Sequence, residues 1–264
     1  MDRLLVLRLE TLGCSAEAWL NGVPLLRATG TQAAVSLPVH EFTQVGSNAL
    51  ELVIQPGPPT APAAREPLLC NGQIGASLRL LLPRTGSVAH PASARTLAQI
   101  EWAPAADVLV DVPLNLRDKV ELNIAFPRWR WLDAPVIADG PSLARDITAY
   151  VLDIAVGLTQ GNPEPLIQAS RLRLEELALA YQTSLADDVA RLRAHIVQLH
   201  AAQALKPVLP SAETLLLRRV ADGRLIDCLA ADGTPFLQSP VVGGGRATWP
   251  LRLAAVDGRF YALR

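Results

Sequence analysis

The sequence predicts an α+β protein in two parts. An antiparallel β-sandwich is expected over about residues 1–135, and three helices packed on an antiparallel β-meander over about 136–264. Three observations predict this. Up to Phe126, apolar and polar residues alternate with a period of two, the signature of half-buried strands. From about residue 142 to 200, apolar residues recur at every third or fourth position, the helical period. From Glu213 the period of two returns, punctuated by Asp-Gly pairs at 222–223, 232–233 and 257–258.

The first element is residues 3–10, where Leu5, Leu7 and Leu9 alternate with Arg8 and Glu10. A strand from Glu17 to Leu20 runs into Asn21-Gly22, a pair that accepts the positive φ of a type I′ hairpin, so the next strand should fold straight back. Val35–Val39 is another short strand. Gly46-Ser47-Asn48 is a turn, and Ala49–Ile54 follows as a strand. Pro56, Pro58, Pro59, Pro62 and Pro67 remove ladder donors and mark a surface loop. Further strands are expected at Gln73–Leu82, Leu97–Trp102, Val108–Val112 and Val120–Phe126, with Thr85–Pro91 as a loop. About eight short strands separated by turns is the count of a sandwich or jelly roll.

Within this run, Trp19-Leu20-Asn21-Gly22, Gly30, Leu37-Pro38-Val39 and Gly46-Ser47-Asn48-Ala49-Leu50-Glu51-Leu52 resemble the galactose-binding-like jelly roll. In that family a strand ends in an Asn-Gly hairpin and a later G-x-N-x-L turn opens a central strand. The motifs cover about residues 15–55. The resemblance implies a jelly-roll-like fold for about residues 1–126. Turn chemistry carries the match more than ligand chemistry does.

Phe126 to Ser142, FPRWRWLDAPVIADGPS, joins the two parts. On an extended strand, Arg128 and Arg130 would face one side and Trp129 and Trp131 the other. These four are candidate partner- or ligand-binding residues, because Trp and Arg are enriched at interface hot spots. The competing reading packs both indoles between the halves. Asp139-Gly140-Pro141 then breaks the strand, and Ser142 is placed to cap a helix.

Leu143, Ile147, Tyr150, Val151, Ile154 and Leu158 predict a helix over about 142–159. Gly161 ends it. Asn162-Pro163 starts a second helix that reaches about Gln182, with Asn as cap and Pro at the first position. Ser184 to Asp187 resembles a capping box and opens a third, about 185–200. Strands are expected near 214–220, 224–230, 235–238, 246–255 and 259–263. Helices followed by a curved meander ending in Asp257-Gly258-Arg259-Phe260-Tyr261 resemble the SnoaL-like α+β cone over about 142–264. That resemblance lies in element order, and no functional residue is carried over from it. It makes Tyr150 and Trp249 candidate lining for a pocket.

With 24 basic against 25 acidic residues, no basic face for nucleic acid is predicted. No stretch approaches the roughly 18–20 consecutive apolar residues of a membrane helix, and the N-terminus does not read as a secretory signal. A cytoplasmic protein is expected. Abundant Ala, Leu, Arg and Pro with lysine only at 119 and 206 point to a GC-rich bacterial gene. Cys14, Cys70 and Cys228 are odd in number and far apart, which fits neither a disulfide framework nor a zinc site.

Catalytic candidates each stand alone. His195 and His200 lie five apart on a helix, roughly 140° around it, unlike the i, i+4 spacing of metal ligands. His40 reads as a turn residue, Asp187 and Asp188 as helix-start carboxylates, and Cys228 as strand core. Gly243-Gly244-Gly245-Arg246 reads as a hairpin loop in preference to an anion cradle. The chain is therefore expected to bind a protein partner without catalysis, metal or cofactor, as an immunity-type protein neutralising a toxin does. Two alternatives are a carbohydrate-binding sandwich and a small-molecule or isomerase-like pocket in the second part.

Overall fold

A computed structural model describes residues 4–29, 32–55, 67–84, 88–124, 126–241 and 245–264. Gly30, most of the proline-rich loop, Thr85–Ser87 and Gly243-Gly244 lie outside these residues. The chain divides into two compact units, Met1–Arg128 and Trp129–Arg264.

The first unit contains β1 (Val6–Leu12), β2 (Ser15–Leu20), β3 (Val23–Ala28), β4 (Gln32–Pro38), β5 (Gly46–Gln55), β6 (Leu68–Asn71), β7 (Gly75–Leu82), β8 (Arg95–Trp102), β9 (Ala106–Val110) and β10 (Leu114–Leu122). They form two antiparallel sheets, β4-β1-β7-β8 and β10-β5-β2-β3, and a ribbon, β6-β9. The sheets pack face to face, β1 over β2 and β3, and β5 over β7 and β8. Alternation decides which side chains meet between them: Leu7, Leu9, Leu78 and Leu80 from one sheet, Ala18, Leu20, Leu50, Leu52 and Ile54 from the other, all fully buried.

Asn21 (φ 51°) and Gly22 (φ 75°) make the expected left-handed hairpin between β2 and β3. Gly46-Ser47-Asn48, expected as a turn, instead opens β5 in register with β10, and the Asn48 side chain closes the bend just before it. Its Oδ1 accepts from Gln44 N at 2.9 Å and Asn21 Nδ2 at 2.8 Å, and its Nδ2 donates to Gln44 O and Gly46 O. Asn21 in turn accepts from Ala49 N and donates to Phe42 O. The two asparagines of the motif thus hold each other and the turns, and are structural. His40 lies in a 3-10 turn, His40–Phe42, where its Nε2 accepts the Leu5 N–H at 2.8 Å.

Two further strand positions differ from expectation. The strand predicted at Val120–Phe126 runs from Leu114 to Leu122, in register with β5 from Leu114↔Ile54 to Leu122↔Gly46. It is an edge strand, largely exposed and carrying Arg117, Asp118 and Lys119, so no apolar alternation announces it. Leu68–Asn71, unassigned from the sequence, pairs with β9.

The second unit contains α1 (Arg130–Asp133), α2 (Leu143–Thr159), α3 (Glu164–Ala169), α4 (Arg171–Tyr181), α5 (Leu185–Ala201), β11 (Leu216–Val220), β12 (Leu225–Leu229), β13 (Leu237–Gln238), β14 (Thr248–Trp249), β15 (Arg252–Val256) and β16 (Arg259–Ala262). Ile147, Val151, Ile154 and Leu158 of α2 form one core with Leu166, Ile196, Ile226, Cys228, Leu253 and Ala262. The helices thereby cover the antiparallel sheet β11-β12-β15-β16. Three details depart from the predicted pattern. The second helix is two helices broken at Ser170. Strand β12 pairs with β15 while β13 and β14 form a separate ribbon, so the run of consecutive hairpins is interrupted once. Ser142 occupies the cap position of α2 without a capping bond. Ser184 does cap α5, accepting from Asp187 N at 3.3 Å. Asn162 Oδ1 accepts from Glu164 N at 3.1 Å. Gly157 lets α3 approach α2, since a Cβ there would stand 2.8 Å from Pro165 Cγ.

Candidate functional site

The outward positions of the sheet β4-β1-β7-β8 carry charge where the inward ones carry leucine. Register stacks them in rows across the strands. One row is Ser36, Arg8, Arg79, Gln99, and the next is Ala34, Glu10, Ser77, Glu101. The row beyond begins Gln32, Leu12, Gly75. Gly75 has no side chain, and Ala33, Ala34, Ala76 and Ala103 around it are small. A cleft of 360 Å³ opens there, bounded by Glu10, Leu12, Gln32, Ser77, Glu101 and Trp102 among others.

The polar groups beside the cleft hold one another in place. Arg8 Nη2 donates to Glu10 Oε1 at 2.8 Å. Arg79 Nη1 donates to Glu10 Oε2 at 2.6 Å and to Ser77 Oγ at 2.9 Å. Arg79 Nε donates to Gln99 Oε1 at 3.1 Å, and its Nη2 lies 4.0 Å from Glu101 Oε2. Gln99 Nε2 donates to that same Glu101 oxygen. Burial alone would raise the Glu10 carboxyl. The hydrogen bond and charge of Arg8, the charge of Arg79 and the Ser77 hydroxyl together hold it below the ordinary carboxylate value. Two guanidiniums and two carboxylates balance, so the ladder presents hydrogen-bonding groups without a field of one sign. Trp102 borders the cleft too, but it pairs with the buried Ala76, so its indole lies on the opposite face of the strand from Glu101.

The residues singled out in the sequence fall elsewhere. Trp129, with extended backbone, precedes α1, and Trp131 lies inside it, so the segment is not the strand that alternation predicted. The helix starts because Leu132 N–H reaches Trp129 O at 3.1 Å and Arg130 N–H is taken by Glu176 Oε1 at 2.7 Å. Both indoles are buried, with the Arg264 guanidinium 5.7 Å from the ring centre of Trp129 and 5.9 Å from that of Trp131. Arg128 and Arg130 are exposed, and Arg130 pairs with Glu175 at 2.9 Å. Trp249 is a member of the helix–sheet core. Tyr150 packs on Phe260, ring centres 5.8 Å apart, and burial pushes its hydroxyl up to about 12, with smaller contributions from Tyr261, Asp153 and Cys228. Burial, then the Asp227 charge, pushes the Cys228 thiol far up, away from the thiolate a nucleophile needs.

Among the described residues, no three His, Cys, Asp or Glu side chains are grouped to hold a metal, and no helix is long and apolar enough to cross a membrane. Glu10, Arg79, Glu101 and Trp102 were not singled out by sequence reasoning. The available signal was the outward phase of Arg8 and Glu10, and the missing one was strand register. No protein-family model, curated protein or solved structure matches the chain.

Proposed function

We propose that the protein binds a partner without catalysing a reaction, and that its first unit takes a polyhydroxylated small ligand, a saccharide, in the cleft beside Glu101 and Gln32. The supporting observation is the cross-strand ladder. Carboxylate, amide and hydroxyl groups fixed at spacings set by the sheet suit the paired donors and acceptors of neighbouring sugar hydroxyls. A hexose has about 12 non-hydrogen atoms, and about 0.3 kcal/mol per atom gives a dissociation constant on the order of 1 mM. Three buried cysteines outside any disulfide suit a reducing compartment, so the proposed setting is the cytoplasm and the ligand a soluble sugar.

A protein partner is the second reading. Leu69 and Leu109 sit directly opposite each other on the β6-β9 ribbon and are 61% and 66% exposed, an apolar pair that a partner would cover.

Ligand-observed NMR against a panel of mono- and disaccharides tests the first reading. Binding should be lost in Gln32→Ala and Glu101→Ala proteins that melt like the parent. Binding unaffected by both substitutions, or none across the panel, would reject it.

A further inference from the structure

We infer that Arg79 sets which ligands the cleft prefers: by balancing Glu10 and Glu101 it makes the site select neutral ligands over cationic ones. This rests on the reading of the cleft as the binding site. Arg79 does not line the cleft, yet it touches three residues that do, Glu10, Ser77 and Glu101. It reaches strands on both sides of its own, Glu10 on β1 and Gln99 on β8. Arg8 bonds Glu10 at 2.8 Å, so Glu10 keeps a cation if Arg79 is removed. Among the charged groups of this ladder, Arg79 is the one placed against Glu101. The Arg79 side chain is 17% exposed and Glu101 59%, so the balancing charge sits inside and the balanced one faces the ligand.

Without Arg79, the Glu101 carboxylate is left uncompensated at the cleft. An uncompensated carboxylate recognises cations by charge. At several ångströms and near-surface screening, one uncompensated charge shifts a cation's affinity by about five- to tenfold.

Glucose and glucosamine are matched probes, one neutral and one cationic at pH 7. Wild type should bind glucose at least as well as glucosamine. Arg79→Met should bind glucosamine about five- to tenfold more tightly than wild type does and lose affinity for glucose. Arg79→Lys keeps the charge but not the fork, so it should keep the wild-type preference at lower affinity. An Arg79→Met protein with no gain for glucosamine overturns the inference, whether or not wild type binds glucose. So does an Arg79→Lys protein that behaves like Arg79→Met, or a wild type that prefers glucosamine. If wild type binds neither sugar while Arg79→Met gains glucosamine, the balancing role stands and the saccharide reading falls.

Discussion

Arg264 Nη1 donates to Glu176 Oε2 at 2.7 Å, with both side chains buried and the guanidinium lying beside the indoles of Trp129 and Trp131. The other Glu176 oxygen takes the Arg130 backbone N–H. One carboxylate therefore neutralises the buried cation and also starts α1. Removing one member of a buried pair leaves an uncompensated charge, which costs about 3–5 kcal/mol. Glu176→Ala should lower the stability of the second unit by about that amount in urea titration. A change under about 1 kcal/mol would show that the pair is solvated and contributes little.

The same arrangement decides how the paired indoles act. Trp131 is 2% exposed. Trp131→Ala should therefore cost about 3–5 kcal/mol through lost burial and the cavity left behind. A tryptophan serving as an exposed platform would change stability by only about 0.5 kcal/mol. Thermal or urea unfolding of the variant separates the two.

Turn chemistry was the most legible part of the sequence, because a short pair such as Asn21-Gly22 or Asp257-Gly258 determines its own backbone. All four of those residues have positive φ. The helices were legible where one apolar stripe runs without a break. The second helix was not, since nothing apolar changes at Ser170, where it divides. The rhythm of Arg128 to Trp131 gave the right side chains buried and the wrong backbone. Two residues apart on an extended segment and two apart at a helix start can both point inward when a distant group such as Arg264 waits for them. The cleft was illegible for a similar reason. Glu10 and Arg79 are 69 positions apart, and only register brings them together.

Asn48 offers a sharper test of the paired-asparagine motif. It is fully buried and its amide makes four hydrogen bonds, one of them to Asn21. Asn48→Ala orphans several partners at once, and each buried unsatisfied group costs about 1–3 kcal/mol. A loss of at least about 3 kcal/mol in the first unit is expected, measured by urea unfolding. Sugar affinity at saturating folded protein should stay unchanged, because Asn48 lies on the other sheet.

The ladder on the sheet face predicts a pH dependence with a definite sign. The Glu10 carboxyl titrates below its ordinary value of 4.5 in the folded protein. The unfolded chain therefore takes up this proton first as pH falls. The stabilisation from Glu10 is fully present above the unfolded value. It declines from about pH 4.5 downward and is gone once the folded carboxyl protonates. Glu10→Gln removes the titrating group while keeping a similar shape. Its stability should fall less steeply than that of the parent between about pH 5 and pH 3, in urea titrations at each pH. Parallel curves would mean that Arg8 and Arg79 are equally well placed around a protonated Glu10, and that the charge in this ladder does not stabilise the fold.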